Sequence, residues 1–108
     1  MNYKVIPTPR FNADAKKLRH HYHSFKSDLE NLTKKLEENP MIGDDLGSGL
    51  RKIRLQIESK GKGKRGGVRV IEFIAFCDKE VYLITAYDKS NIENISTREL
   101  KKMLQQLL

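Results

Sequence analysis

Two basic residues on one predicted strand are the first residues in the sequence whose types and spacing suggest chemistry. Lys52 and Arg54 alternate with Ile53 and Leu55, so both should point to the same side of a β-strand. Arg69 begins the next apolar run and should lie across a hairpin from them. Cations that converge on one surface favour a phosphate, and a guanidinium suits the charge of a phosphorane. The alternative is a solvated sheet face.

The chemistry that these residues could perform is cleavage of RNA by its own 2′-hydroxyl. That reaction needs a proton acceptor, charge stabilisation on the phosphorane and help for the leaving oxygen. Like charges disfavour an ammonium group, so Lys52 is our candidate base. Arg54, Arg69 and Lys89 are candidates for stabilising phosphate charge. Tyr87 is a candidate for assisting or for stacking on a base, although a tyrosine at a strand end also commonly covers the core rim.

A glycine-rich cationic tip, Ser59 to Gly67, lies between these two strands. Arg51 to Arg69 contains eight basic residues and one acid, so its net charge equals the +7 of the whole chain. Phosphate contacts would use both the charges and the exposed amides of such a tip. The alternative is a solvated hairpin loop. The candidate RNA- or ribosome-binding residues in the tip are Lys60, Lys62, Lys64 and Arg65.

Length and composition predict a single domain over residues 1–108. No apolar run approaches the ~20 residues that span a bilayer, and the N-terminus lacks signal-peptide features, so we expect no membrane and a cytoplasmic location. Cys77 is the one cysteine, and its apolar surroundings predict a small buried side chain. His20, His21 and His23 end a predicted helix and should be surface residues. We expect no metal and no cofactor.

The elements that must position these residues begin with a short strand, Tyr3 to Thr8, and two helices. Thr8 and Pro9 form a helix start, and Asn39-Pro40 ends the second helix, which begins near Ser24. The two apolar faces, at spacings of three and four, predict a helical hairpin on the sheet. They consist of Phe11, Ala15, Leu18 and Tyr22, and of Phe25, Leu29, Leu32 and Leu36.

A loop from Met41 to Gly49 should then lead into three strands, Leu50 to Glu58, Val68 to Cys77 and Glu80 to Tyr87. They should form an antiparallel meander. A capping box at Ser96 and Glu99 opens a last helix. The predicted fold is α+β, an antiparallel sheet in the order β-α-α-β-β-β-α. The helical hairpin should cover one face, and the charged strand positions should occupy the other.

The sequence resembles the RelE/HigB group of bacterial type II toxins in three places. These are the strings LRKIRLQIESKGKGKRGGVRVIEF and VYLITAYDKSN and the Asn39-Pro40 loop, which also contains Gly43 and Asp44. This group lies within the RelE/ParE superfamily. The resemblance covers most of the chain. It implies a ribosome-associated endoribonuclease, an mRNA interferase, that a cognate antitoxin of helix-turn-helix type holds inactive. Its basic catalytic positions fall on Lys52, Arg54, Arg69 and Lys89. Several relatives carry a late tyrosine that Ile92 to Leu108 lacks here.

The resemblance leaves two other functions open. Gyrase-poisoning relatives share the architecture, and fold alone does not decide function. A non-catalytic RNA-binding module would use the same concentration of charge. The implied partners are an antitoxin, mRNA and the ribosome.

Overall fold

The computed structural model describes residues 2–58, 67–89 and 95–107, and no side chain is described for Thr97. This part of the chain contains three helices and five strands. Their order is β1 (Lys4–Pro7), α1 (Pro9–His21), α2 (Phe25–Glu38), β2 (Asp44–Gly47), β3 (Leu50–Leu55), β4 (Val68–Ala75), β5 (Glu80–Asp88) and α3 (Thr97–Gln105). None of the helices in these ranges is long and apolar enough to cross a membrane.

The five strands form one mixed sheet in the spatial order β1-β5-β4-β3-β2. The predicted antiparallel meander of β3, β4 and β5 is confirmed. The sheet is not antiparallel throughout, because β1 lies beside β5 and runs parallel to it. The helical hairpin carries the chain from β1 at one edge to β2 at the other, so the parallel neighbours β1 and β5 are the first and last strands of the described chain.

The prediction of a loop from Met41 to Gly49 was wrong for its second half. Asp44–Gly47 forms β2 and pairs antiparallel with β3. Ser48 and Gly49 connect the two strands with φ of 56° and 84°, the left-handed conformations that a tight hairpin turn requires. An acidic, glycine-rich strand at a sheet edge has neither the apolar residues nor the alternation that predict a strand.

The helical hairpin packs on one face of the sheet, as predicted; we call it the hairpin face. Phe11 and Phe25 are fully buried there with Leu36, against Val70 and Leu83 of the sheet. The Thr8 hydroxyl accepts a hydrogen bond from the Phe11 amide (3.2 Å) and donates one to the Leu83 carbonyl (2.9 Å). The helix cap therefore also fixes the start of α1 to β5.

The opposite face is not simply a charged surface, as the sequence had suggested, because α3 covers part of it; we call it the α3 face. Leu100 of α3 is buried against Ile71 and Ile84, and Tyr87 belongs to the same cluster. The Ser96 hydroxyl accepts a hydrogen bond from the Glu99 amide (3.2 Å), which confirms the predicted helix start. Candidate site residues therefore share this face with a second apolar core.

Two predicted strands are shorter than their apolar patterns, and one prediction about a side chain was wrong. β3 ends at Leu55 and β4 ends at Ala75. The chain turns over Phe76 to Lys79, closed by a hydrogen bond from the Lys79 amide to the Phe76 carbonyl (3.2 Å). Cys77 is therefore an exposed turn residue and not a buried strand residue. The apolar run had continued two residues beyond the last pair of the ladder.

Candidate functional site

Three of the predicted catalytic residues form one row across the sheet. Arg54 of β3 is the register partner of Arg69 of β4, and Arg69 is the register partner of Tyr87 of β5. Direct partners of this kind have Cβ atoms about 5 Å apart. The row lies on the α3 face, since Tyr87 belongs to that cluster. We call Arg54, Arg69 and Tyr87 the cross-strand row.

Arg69 is the buried centre of this row, with 4% of its surface exposed. Burial and the neighbouring Arg54 lower the pKa of Arg69 from its ordinary value, whereas Tyr87 raises it. The residue still remains charged, because an arginine side chain does not deprotonate in proteins. Two guanidinium groups on directly opposed strand positions repel each other. A bound anion between them would relieve that repulsion.

Tyr87 packs in the α3-face core and interacts electrostatically with Arg69, so it covers the core and also adjoins the proposed site. Burial raises the pKa of Tyr87, while the Arg69 charge and a backbone hydrogen bond with Ile95 lower it, with a net upward shift. At neutral pH the phenol is therefore protonated. It can donate a proton or a hydrogen bond, but it is a poor base.

Lys52 is half-buried on the same face, two residues before Arg54. The strand spacing separates the two Cα positions by about 7 Å. β2 adds an acid beside it, because Asp44 is the register partner of Lys52. Sequence reasoning missed this neighbour when it assigned Asp44 to a loop. The available signal was the two-residue turn, Ser48-Gly49, which indicates a hairpin. That turn alone would pair Asp45 with Lys52, and a bulge between Asp45 and Gly47 shifts the pairing to Asp44.

Lys89 is exposed and follows the end of β5. Its amide donates a hydrogen bond to the Gly67 carbonyl (3.2 Å), which extends the β4–β5 pairing beyond the last strand residue. A Cβ atom placed on Gly67 would lie 3.9 Å from Nη1 of Arg69, so the Arg69 guanidinium reaches toward the same position. Lys89 thus adjoins the Tyr87 end of the cross-strand row.

The four candidate residues of the cationic tip, Lys60, Lys62, Lys64 and Arg65, lie outside the described residues. The structure describes Glu58, which precedes the tip, and Gly67, its last residue, and the backbone of each forms a hydrogen bond. The Glu58 amide donates a hydrogen bond to the buried Asp28 carboxylate (3.1 Å), which also accepts one from the Ser24 hydroxyl (2.8 Å). The Gly67 carbonyl accepts from Lys89. Contacts with Asp28 of α2 and with Lys89 after β5 therefore fix the described residues on either side of positions 59–66.

A second buried acid connects the helical hairpin to the end of β5. The Tyr22 hydroxyl donates a hydrogen bond to the Asp88 carboxylate, and Asp88 is 5% exposed. Asp88 lies between Tyr87 and Lys89 in the chain, so this contact helps to fix both neighbours. Sequence reasoning assigned no role to Asp88, because nothing in its surroundings predicted a contact with a residue 66 positions away.

The histidines do not join the site. His20, His21 and His23 are all exposed around the end of α1, and the His21 ring meets the Tyr22 ring edge-on with centroids 5.0 Å apart. Across the ranges 2–58, 67–89 and 95–107, no three His, Cys, Asp or Glu side chains form a group that could hold a metal ion.

Comparison with known proteins gives a family and a fold. Residues 8–107 match the family model described as the RelE toxin of the RelE/RelB toxin-antitoxin system. Similar solved structures include a double mutant of the E. coli toxin RelE in the free state, with 16% identity, full coverage of both chains and a TM-score of 0.67. Another is the toxin-antitoxin complex RelBE2 from Mycobacterium tuberculosis, with 20% identity, 81% of this chain and 91% of that chain covered, and a TM-score of 0.61.

Proposed function

The chain belongs to the RelE toxin family, and we propose that it is a ribosome-associated endoribonuclease that cleaves mRNA without a metal and is neutralised by a cognate antitoxin. The single observation that carries this proposal is the cross-strand row. Two arginines and a protonated tyrosine lie side by side on three strands. A fold that only bound another protein would gain nothing from a buried guanidinium group opposed to a second arginine.

The proposed reaction is an in-line attack of the ribose 2′-oxygen on the adjacent phosphorus. Lys52 accepts the 2′-hydroxyl proton. Arg54 and Arg69 stabilise the charge of the phosphorane, and Lys89 contacts the phosphate from the end of the row. The bond from phosphorus to the 5′-oxygen breaks, and Tyr87 donates a proton to that oxygen. The products are a 2′,3′-cyclic phosphate and a 5′-hydroxyl.

The cationic tip supplies affinity in this proposal. Lys60, Lys62, Lys64 and Arg65 would contact phosphates of message or ribosomal RNA, independently of base sequence. The position of Gly67 supports this role, since it adjoins Arg69 of the row.

The test is brief induction of the wild-type chain and of Arg69→Ala, followed by transcriptome-wide mapping of message 5′ ends. We expect growth arrest and new 5′-hydroxyl ends with the wild type, and neither with Arg69→Ala. The matched control is Arg98→Ala, which removes an exposed arginine of α3 and should behave like the wild type.

Other outcomes would replace the proposal with one of its competitors. Growth arrest accompanied by DNA double-strand breaks and intact message would indicate a gyrase poison. Growth arrest that Arg69→Ala leaves unchanged, with no new 5′ ends, would indicate an RNA-binding module without catalysis.

A further inference from the structure

A small cavity lies where strand β3 is left open at the edge of the sheet. β2 pairs with β3 only as far as Lys52, so no strand among the described residues covers the outer side of β3 beyond that point. Helix α2 and the end of β3 line a cavity there with a volume of about 280 Å³, which we call the edge pocket. Its lining includes Asn31 and Lys35 of α2, Ile42, and Arg54, Leu55 and Gln56.

The edge pocket adjoins the cross-strand row, because Arg54 belongs to both. Arg54 lies on the α3 face, whereas Leu55 packs in the core of the hairpin face, so the pocket straddles the edge of β3. Gln56 lies two residues after Arg54, and their Cα atoms are therefore at most about 7 Å apart. A nucleotide next to a phosphate held by the row would be within reach of the pocket.

The accessible groups of the edge pocket are amides and cations. Asn31 and Gln56 are exposed, and each carboxamide offers hydrogen-bond donors and an acceptor. Lys35 and Arg54 are also exposed and supply positive charge. The acid in the lining, Asp28, is buried, and its carboxylate already accepts two hydrogen bonds from the chain. The pocket therefore offers a ligand amides and cations rather than a carboxylate.

These groups match the edge of a nucleobase. A carboxamide can pair with a base through two hydrogen bonds, and its usual partner is adenine, which offers N6 as a donor and N7 as an acceptor. Ile42 is half-buried and provides an apolar contact for the ring, while Lys35 can contact the phosphate backbone. Sites for small molecules begin at about 300 Å³, so a cavity of this size suits a single base rather than a larger ligand.

We propose that the edge pocket binds the adenine base of a nucleotide next to the phosphate that the row holds. The inference rests on the proposed function and adds a base preference to it, which Asn31 and Gln56 determine. A peptide strand added to the open edge is the competing occupant. It fits less well, because β3 offers it only three residues, 53–55, beyond the end of the pairing with β2.

The first test measures base preference in cleavage. Asn31→Ala/Gln56→Ala removes both carboxamides, and the control Asn12→Ala/Gln105→Ala removes the same two groups from exposed positions outside the pocket. Cleavage sites are mapped, and messages with each base beside a mapped site are then cut on ribosomes, with a thermal melt to verify folding. We expect the wild type and the control to cut roughly tenfold faster next to adenine than next to cytosine, and the pocket variant to lose this preference. A pocket variant with the wild-type preference overturns the proposal.

The second test does not depend on cleavage. RNA with 2′-O-methyl groups resists the proposed reaction, because it lacks the attacking hydroxyl. Two such pentamers, with a central adenine or a central cytosine among uridines, are titrated against isotope-labelled protein while the side-chain amide resonances of Asn31 and Gln56 are followed by NMR. We expect the adenine pentamer to shift these resonances and to bind roughly tenfold more tightly. Equal shifts with both pentamers, or shifts only elsewhere in the chain, overturn the proposal.

The two proposals fail separately in these measurements. Adenine-dependent shifts at Asn31 and Gln56 in a chain that cuts no message would support the edge pocket and count against the nuclease function alone. Cleavage that is equally fast next to all four bases would support the nuclease function and overturn the edge pocket.

Discussion

Arg69 carries an electrostatic cost at the centre of the proposed site. It is buried beside a like charge, and a bound anion would offset the repulsion between the two guanidinium groups. Opposed like charges on neighbouring strands cost roughly 0.2–1 kcal/mol, and an apolar side chain of similar length would avoid that cost. Active sites commonly sacrifice stability in this way.

Arg69→Met should therefore abolish RNA cleavage while leaving the free energy of unfolding equal to or above that of the wild type. Urea titration and cleavage of a defined message on ribosomes are the two measurements. Arg98→Met, on the exposed face of α3, should change neither quantity. Destabilisation of Arg69→Met by more than about 1 kcal/mol would show that Arg69 is primarily a structural residue.

Glu72 is a buried carboxyl group without a hydrogen-bond partner for either oxygen among the described residues. Burial raises its pKa to about 8, and the nearby Arg51 opposes that shift. Arg51 is engaged elsewhere: its guanidinium donates to the carbonyls of Gly43 (2.7 Å) and Met41 (3.3 Å). Glu72 is therefore protonated in the folded chain at neutral pH.

This shift predicts how stability depends on pH. In the unfolded chain Glu72 ionises near 4.5, so the unfolded state gains relative to the folded state as pH rises from there to about 8. The contribution of Glu72 to the free energy of unfolding is therefore fully present below pH 4.5 and fully lost above pH 8. At 1.36 kcal/mol per pH unit, the loss is on the order of 3–5 kcal/mol.

Glu72→Gln should remove this contribution to the pH dependence, and above pH 8 it should be more stable than the wild type. Urea midpoints measured from pH 5 to pH 9 test the prediction. Glu30→Gln, an exposed glutamate of α2, is the control and should keep the wild-type slope. Parallel curves for the wild type and Glu72→Gln would refute it.

At the scale of elements, the chain entering the β2–β3 hairpin needs a glycine at position 43, because it packs against the backbone of Lys52, the proposed base. Gly43 has φ of +91°, and a Cβ atom there would overlap the backbone carbonyl oxygen of Lys52. Gly47 has nearly the same φ, +87°, but a Cβ atom on it would meet no atom within 4 Å. Alanine at either glycine would strain the backbone, but only alanine at position 43 would also displace β3. Comparing the two substitutions therefore separates these effects.

Gly43→Ala should reduce RNA cleavage more strongly than Gly47→Ala, because it must move the strand that carries Lys52 and Arg54. Both substitutions strain the backbone by about 1 kcal/mol, so Gly47→Ala is the matched control for conformation alone. Cleavage rates at equal fractions of folded protein are the measurement. Equal rates for the two variants would show that the packing of Gly43 against β3 does not influence the proposed site.

Much of this fold could be predicted from local sequence. Short-range contacts specify the helix ends at Thr8-Pro9, Asn39-Pro40 and Ser96. The alternation of apolar and polar residues after Leu50 specifies a strand with Lys52 and Arg54 on one side. The acidic β2 strand was missed because pairing with β3 stabilises it, and local propensity does not. The exposure of Cys77 was missed because hydrophobicity continues past the last paired residue.

The candidate site was predictable where it depends on strand alternation and unpredictable where it depends on long-range contacts. Grouping Lys52, Arg54 and Arg69 needed only a hairpin and a period of two. The Tyr22 contact with Asp88, the covering of the α3 face and the isolation of Glu72 all join residues distant in the chain. No pattern in the sequence encodes such contacts directly.

At the scale of the whole molecule, the net charge of +7 is concentrated between Arg51 and Arg69, and the cationic tip contributes four of those basic residues. Each phosphate contact releases counterions, so binding to single-stranded RNA should weaken with salt with a logarithmic slope of about 0.7 per contact. If all four tip residues contact phosphate, they account for a slope of about 3.

Replacing Lys60, Lys62, Lys64 and Arg65 by Gln should lower this slope by up to about 3 and weaken RNA binding similarly for all sequences. A matched control replaces four exposed lysines on the helices, Lys17, Lys34, Lys101 and Lys102, and reaches the same net charge. Fluorescence anisotropy of a labelled RNA across a salt series measures both slopes. If the two variants have equal slopes, affinity follows net charge alone. A smaller slope for the tip variant would mean that these four side chains contact the RNA backbone.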